Sequence, residues 1–158
     1  MLIDDELRAF LLSGVTCLVA SGNESGVPEL SMALACWAAD GDRLEVALNV
    51  AESSPLRAVL KRGGARIALV ACRPYDLKTF QFKGSKIGLE SPTESILERL
   101  CQALTRLSQS FERIGFKDPY AATLLRPDPD GVVLLRLQVD EVFEQTPGPK
   151  AGQAKVTR

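Results

Sequence analysis

The sequence contains no histidine. That absence excludes Ser-His-Asp and Cys-His catalysis, the usual zinc sites and a histidine-ligated haem, so any redox chemistry must come from a bound organic cofactor. The charges nearly cancel, to a formal net charge of -1. Such a chain has no field that would gather nucleic acid or an anionic membrane surface, and neither is expected as a partner. No apolar run approaches the roughly 18 residues of a membrane helix. The opening MLIDDELRAF is acidic where a signal peptide is basic, and a cytoplasmic protein is expected. The four cysteines, Cys17, Cys36, Cys72 and Cys101, form no C-x-x-C pair, which removes a zinc ribbon and a thioredoxin-type motif. Each lies among apolar residues and is expected as a buried, reduced thiol. A glycine-rich dinucleotide fingerprint is missing as well.

What is present is organised around ARIALVACRPYDLKTFQFKGSK, residues 65–86. The run 67–72 is almost continuously apolar, as in a strand buried on both faces, and 79–83 alternates polar with aromatic residues. Arg73-Pro74-Tyr75-Asp76 between them is turn chemistry. Phe80 and Phe82 then face a core, while Thr79, Gln81 and Lys83 offer hydrogen bonds on the opposite face, a pattern that suits a ligand wall.

Upstream, residues 4–13 read as an amphipathic helix with an apolar stripe of Leu7, Phe10 and Leu11, closed by Gly14, lying across a sheet or barrel mouth. Residues 15–21, 29–39 and 43–49 read as antiparallel strands joined by turns at 22–26 and 40–42. On the second of them Leu30, Met32, Leu34 and Cys36 share one face, and Ser31, Ala33, Ala35 and Trp37 share the other. That small-residue face suits either tight sheet packing or the approach of a flat ring.

Residues 56–62 read as a short helix capped by Ser53 and Ser54, with Pro55 at its first position. Its start, with two hydroxyls and Arg57, suits either a phosphate or a capped helix with a solvated arginine. Ser91-Pro92-Thr93-Glu94 has the form of a capping box, and a long helix follows to Ile114, closed by Gly115. Leu97, Leu100, Cys101, Leu104, Leu107, Phe111 and Ile114 make its apolar stripe. Residues 117–130 read as loop, 132–143 as the last strand, and 153–158 as a mobile tail. At 158 residues the chain suits one domain, taken as 1–152. About six short strands at hairpin spacing with added helices predict a mainly β fold, a closed or nearly closed antiparallel barrel.

The words of the sequence resemble the pyridoxamine 5'-phosphate oxidase-like family, the FMN-binding split barrels, over residues 4–152. The resemblance rests on RPYDLKTFQFKG (73–84), on the hairpin 28–49 and on the ending VFEQTPGP (142–149). It implies a six-stranded antiparallel split barrel of the FMN-binding type. It also implies a homodimer with FMN sites at the subunit interface, each built from both chains, and a flavin-dependent oxidoreductase acting on a small-molecule substrate. By analogy, Ser31, Met32, Ala33 and Leu34 run along the ring, and Asn49, Ser53, Ser54 and Arg57 lie near the ribityl chain and phosphate. Thr79 and Gln81 match the strand that reaches the ring, and Gly84 matches a glycine beside the flavin. The sequence departs from the family in having Glu29-Leu30-Ser31-Met32 and Ser53-Ser54-Pro55-Leu56-Arg57 where its enzymes carry phosphate-binding arginine and lysine. The oxidase's residues for the substrate phosphate have no counterpart, so pyridoxamine phosphate is not implied as substrate. Two other functions are carried beside the oxidoreductase: a flavin-binding module without turnover, and a structural dimer without cofactor.

Overall fold

A computed structural model of the chain describes residues 1–126 and 128–157. The hydrophobic alternation read from the sequence becomes β1 (Thr16–Gly22), β2 (Pro28–Ala38), β3 (Arg43–Asn49), β4 (Arg66–Cys72), β5 (Thr79–Glu90) and β6 (Val132–Glu144). Their antiparallel order is β3-β2-β1-β4-β5-β6, and β6 pairs back onto β3 from Asn49↔Val132 to Arg43↔Gln138. The sheet is thus a closed six-stranded barrel, and closure removes its free edges. Its interior is filled by alternate residues of the strands, among them Val19, Val46, Leu48, Leu69, Phe82 and Leu135, each inaccessible to solvent.

Two helices close the ends. In α1 (Asp5–Leu11) Asp4 caps the start, its Oδ1 accepting the Leu7 N–H at 2.9 Å. Leu7, Phe10 and Leu11 enter the barrel core, where the Phe10 ring meets Phe80 edge-on at 4.9 Å. The helix α2 (Pro55–Lys61) buries Leu56 and Leu60 in the same core. Arg62, just after α2, donates to the Gly22 carbonyl at the C-terminal end of β1, whereas α1 precedes the start of β1, so the two helices sit at opposite ends.

A second core lies outside the barrel, where α3 (Glu94–Glu112) and α4 (Tyr120–Leu125) cover parts of β2, β3 and β6. Thr93 caps α3, rather than Ser91, its Oγ1 accepting from the Ile96 N–H at 3.4 Å. The buried stripe of α3 is Ile96, Leu100, Leu107, Ser110 and Phe111, and Leu97 and Ile114 lie exposed. The predicted stripe holds at Leu100, Leu107 and Phe111; it misses at the start, where Ile96 rather than Leu97 faces the barrel, and at Ile114, which lies past the helix end at Glu112. The expected loop 117–130 contains α4, which is held by its aromatic start: Tyr120 meets the Phe111 ring at 4.9 Å and stacks on Phe116 at 4.4 Å. Pro127 of that loop is outside the described residues. Among the described residues no helix is long and apolar enough to cross a membrane.

The stretch expected as a mobile tail forms a further strand, β7 (Ala154–Thr157), antiparallel to β6; Arg158 lies outside the described residues. The Nζ of Lys155 lies 3.1 Å from Glu6 Oε2 and 3.4 Å from Asp4 Oδ2, so charge ties β7 to α1. Glu6 also pairs with Lys78 at 2.7 Å. Hydrogen bonds first from Lys78 and then from Lys155 hold the Glu6 carboxyl at about 2, below its ordinary 4.5. A depressed carboxyl contributes its stability above the ordinary value and loses it as the pH falls toward the folded value. Exposed pairs contribute under about 1 kcal/mol each. Glu6→Gln is therefore expected to speed amide exchange in residues 154–157 about threefold to fivefold at neutral pH. The wild-type tail should loosen only as pH falls from about 4.5 to about 2. Equal exchange in both proteins at neutral pH would show that strand pairing alone holds β7.

Candidate functional site

The alternation along β2 is broken by a bulge. Register with β3 shifts between Ala33↔Leu48 and Ala35↔Ala47, so Leu34 and Ala35 both face outward and the phase reverses beyond them. Ser31 and Ala33 share the inner side, opposite Val19 and Cys17 of β1, and Cys36 joins them there. Trp37 faces out beneath α3, with its Nε1 donating to Glu45 Oε2 at 2.7 Å and Arg99 4.9 Å above its ring. The single small-residue face read from the sequence is thus divided between the barrel interior and the α3 interface. Of the four residues expected along the ring, Met32 is half-buried on the outer side, packed against the rim of the second core, and Leu34 is buried in that core.

The uncovered surface is the outer side of the first part of β2, before α3 covers it, and of β1, β4 and the start of β5. Paired residues of a sheet share a face, and two rows cross it: Met32–Leu18–Val70–Gln81 and Leu30–Ala20–Ala68–Lys83. Three of the four strands contribute apolar side chains, and Leu18 is 44% and Leu30 65% exposed. The fourth supplies the polar edge. Gln81 Oε1 accepts from Gln145 Nε2 at 3.2 Å, and Lys83 Nζ lies 4.6 Å over the Phe143 ring. Thr79 is placed otherwise. It is buried, its hydroxyl donates to the Leu77 carbonyl at 2.8 Å, and its N–H donates to Thr146 Oγ1 at 3.0 Å, which leaves no donor for a ring.

The residues expected near a phosphate gather at the α2 end. Asn49 Nδ2 donates to the Arg126 carbonyl at 2.9 Å, which joins β3 to the end of α4. Ser54 is the N-cap of α2 without a side-chain hydrogen bond, and Ser53 is exposed. Arg57 donates through Nη1 to the Val50 carbonyl at 2.9 Å and pairs through Nη2 with Glu52, while its buried Nε has no partner. Glu52 also pairs with Lys61. The hydrogen bond from Lys61 is the main cause that holds the Glu52 carboxyl below its ordinary value. A phosphate therefore meets suitable donors here, two hydroxyls and two cations, but the cations already carry a carboxylate. Neither Glu52 nor Lys61 belongs to the cap pattern of the sequence. Their signal is a carboxylate two residues before the cap and a lysine one turn beyond Arg57.

One chain does not bring the two groups together. Asn49, Ser53, Ser54 and Arg57 stand at the α2 end, and Thr79 and Gln81 at the end closed by α1, where Lys78 pairs with Glu6. The cysteines have no visible role in either group. Cys17 and Cys36 face each other inside the barrel, Sγ to Sγ 3.1 Å, and that hydrogen bond with burial raises the Cys17 thiol pKa well above its ordinary value. Cys101 is exposed rather than buried, since it falls on the solvent side of α3.

No family model and no curated protein matches the sequence. Solved structures do match in shape. HupZ of Group A Streptococcus is similar with a TM-score of 0.56 at 13% identity, over 95% of this chain and 99% of that one. A Clostridium acetobutylicum protein related to general stress protein 26 of B. subtilis, described as of the pyridoxinephosphate oxidase family, is similar at 0.51 and 15%, over 87% and 83%. HutZ, the heme storage protein from Vibrio cholerae, is similar at 0.50 and 16%, over 91% and 95%. These likenesses establish the split-barrel fold that the words of the sequence pointed to.

Proposed function

We propose that the chain is an FMN-binding flavoprotein that works as a homodimer, with a cofactor groove between subunits, and that it is an FMN-dependent oxidoreductase acting on a small substrate. The observation that carries this reading is the uncovered apolar face of β2, β1 and β4 with its polar edge at Gln81 and Lys83. Exposed contiguous apolar surface of this kind marks an association site. A two-fold axis lying between two such faces and across the strands sets the α2 end of one subunit against the Gln81 end of the other, which unites the two groups that a single chain keeps apart.

In this arrangement Ser53, Ser54, Arg57 and Lys61 hold the phosphate once Glu52 swings out, which its exposure allows. The free amide N–H groups of Gln81 hydrogen-bond the ring edge, and Met32, Leu18 and Val70 exclude water. FMN supplies the electron chemistry, so no nucleophilic side chain is required. A histidine-ligated haem is not carried over from the Vibrio cholerae protein, because there is no histidine here to ligate iron. A structural dimer without cofactor is the second reading, and the pairing of Glu52 with both cations favours it.

Purified protein titrated with FMN and with riboflavin separates the two. The flavoprotein reading expects uptake of both, FMN more tightly, and Glu52→Gln should widen that preference about threefold or more as the competing carboxylate is lost. A colourless protein that takes up no added FMN, in wild type and E52Q alike, leaves the structural dimer standing.

A further inference from the structure

Two hollows flank α3, and they share Leu12 and Arg106. The first, of about 220 Å³, runs between α3 and the wall of β2 and is lined on its apolar side by Leu11, Val15, Leu34 and Trp37. The second, of about 270 Å³, opens beside Tyr75 and Ser13 and is lined on α3 by Gln109, Ser110 and Arg113. Among the described residues no acidic side chain lines either one. Gly14 sets the spacing. Its φ is +80°, and a Cβ there would stand 2.2 Å from the Arg106 carbonyl oxygen, so glycine lets the α1–β1 turn press directly on the α3 backbone.

Three features of this cleft are unexplained by packing. Among the described residues Arg106 and Arg113 pair with no carboxylate, as Arg8, Arg43 and Arg126 elsewhere also do not, but here the two stand together in one acid-free cleft. Arg113 lies flat on the Tyr75 ring at 3.5 Å, a stacking that leaves the N–H edge of its guanidinium available. Ser110 is 2% exposed, and its Oγ has no hydrogen-bond partner. A buried hydroxyl left unpaired is costly, and alanine would fill the same space without that cost. Arg99, Arg106 and Arg113 recur at intervals of seven, which puts them along one side of α3.

We propose that this cleft is a binding site, separate from the flavin groove, for a small molecule with one oxyanion head, a carboxylate or a phosphate, and an apolar body. The head sits between Arg106 and Arg113 beside Gln109 and Ser110, and the body enters the hollow against Leu11, Leu34 and Trp37. None of these residues belongs to the rows around Leu18 and Gln81 or to the α2 cluster. A fully solvated pair of arginines would explain their freedom, but it would explain neither the acid-free lining nor the orphan Ser110 hydroxyl.

Octanoate, octyl phosphate and 1-octanol, titrated into the purified protein and followed calorimetrically, test the site. One or both anions should bind at least about tenfold more tightly than 1-octanol, since about 1.4 kcal/mol separates an arginine-held head from an uncharged one. The ratio of the two anions identifies the head. Arg106→Gln should remove that preference while leaving 1-octanol affinity and FMN uptake unchanged, which separates this site from the flavin reading. Arg113→Gln, at an exposed position, gives the same test should R106Q fold poorly. The proposal is overturned if the anions bind no better than 1-octanol, or if the folded variant binds them as the wild type does.

Discussion

Gly84→Ala is expected to destabilise the barrel by about 3 kcal/mol, the upper part of the range for forcing extra atoms into a packed interior. Gly84 is buried in β5 between Ile67 of β4 and Val139 of β6. A Cβ there would lie 1.9 Å from the Gln138 carbonyl oxygen and 2.8 Å from its carbon. Those atoms are backbone in a strand paired on both sides, so they cannot rotate aside. The β5–β6 register slips at Lys83/Gly84 and again at Lys86/Gly88, and the strands close the barrel by bending where Gly84 lets β6 approach. For a chain of this size the loss corresponds to roughly 6–12 °C in Tm. Gly88→Ala is the control. Its nearest neighbour would be the Glu90 carboxylate at 3.2 Å, the movable end of a side chain, and little change is expected. Thermal and denaturant unfolding of both variants decides the matter, and a G84A protein that melts with the wild type would refute this role for the glycine. The resemblance placed Gly84 beside a flavin; the geometry instead gives it a reason inside the barrel.

That contrast separates what local pattern encodes from what only the folded chain decides. The six barrel strands and the three longer helices are legible because apolar period and turn chemistry agree with one another along each of them. The bulge in β2 is not legible. Ser31-Met32-Ala33-Leu34-Ala35-Cys36-Trp37 alternates without a glycine or proline to mark a break, and the slip is set by β3 and by α3 pressing on Trp37. One slipped residue reverses every face assignment beyond it, so the ring-side reading of that strand divides in two. The strand β7 is invisible for a different reason. Its tether is Lys155 to Glu6, a contact across nearly the whole chain, and composition alone describes a polar end. At α2 the cap, the proline and Arg57 are local signals and are readable. Glu52 is not, because its pairing with Arg57 and Lys61 depends on how the turn before α2 folds back on the helix and leaves no mark in the cap pattern.

Leu18→Glu should convert a dimer into a folded monomer and abolish FMN uptake with it. Leu18 lies at the middle of the row from Met32 to Gln81, yet it is 44% exposed in the single chain. The substitution therefore costs the isolated barrel little, while a face-to-face dimer would bury the new carboxylate. Stable interfaces bury about 1,200–2,000 Å² in total, and a two-fold axis brings each substitution into the interface twice. An uncompensated buried carboxylate costs several kcal/mol, and about 1.4 kcal/mol is a tenfold change in Kd, so two of them raise the dimer Kd by a factor on the order of a thousand or more. Leu97→Glu is the matched control: Leu97 is 37% exposed on α3, outside this face, and the variant should remain dimeric. Sedimentation or light scattering reads the mass, circular dichroism checks the barrel, and flavin titration reads the groove. Dissociation by L97E with L18E intact would move the interface to α3. An L18E protein that is dimeric and still takes up FMN would remove the β2–β1–β4 face from the function altogether.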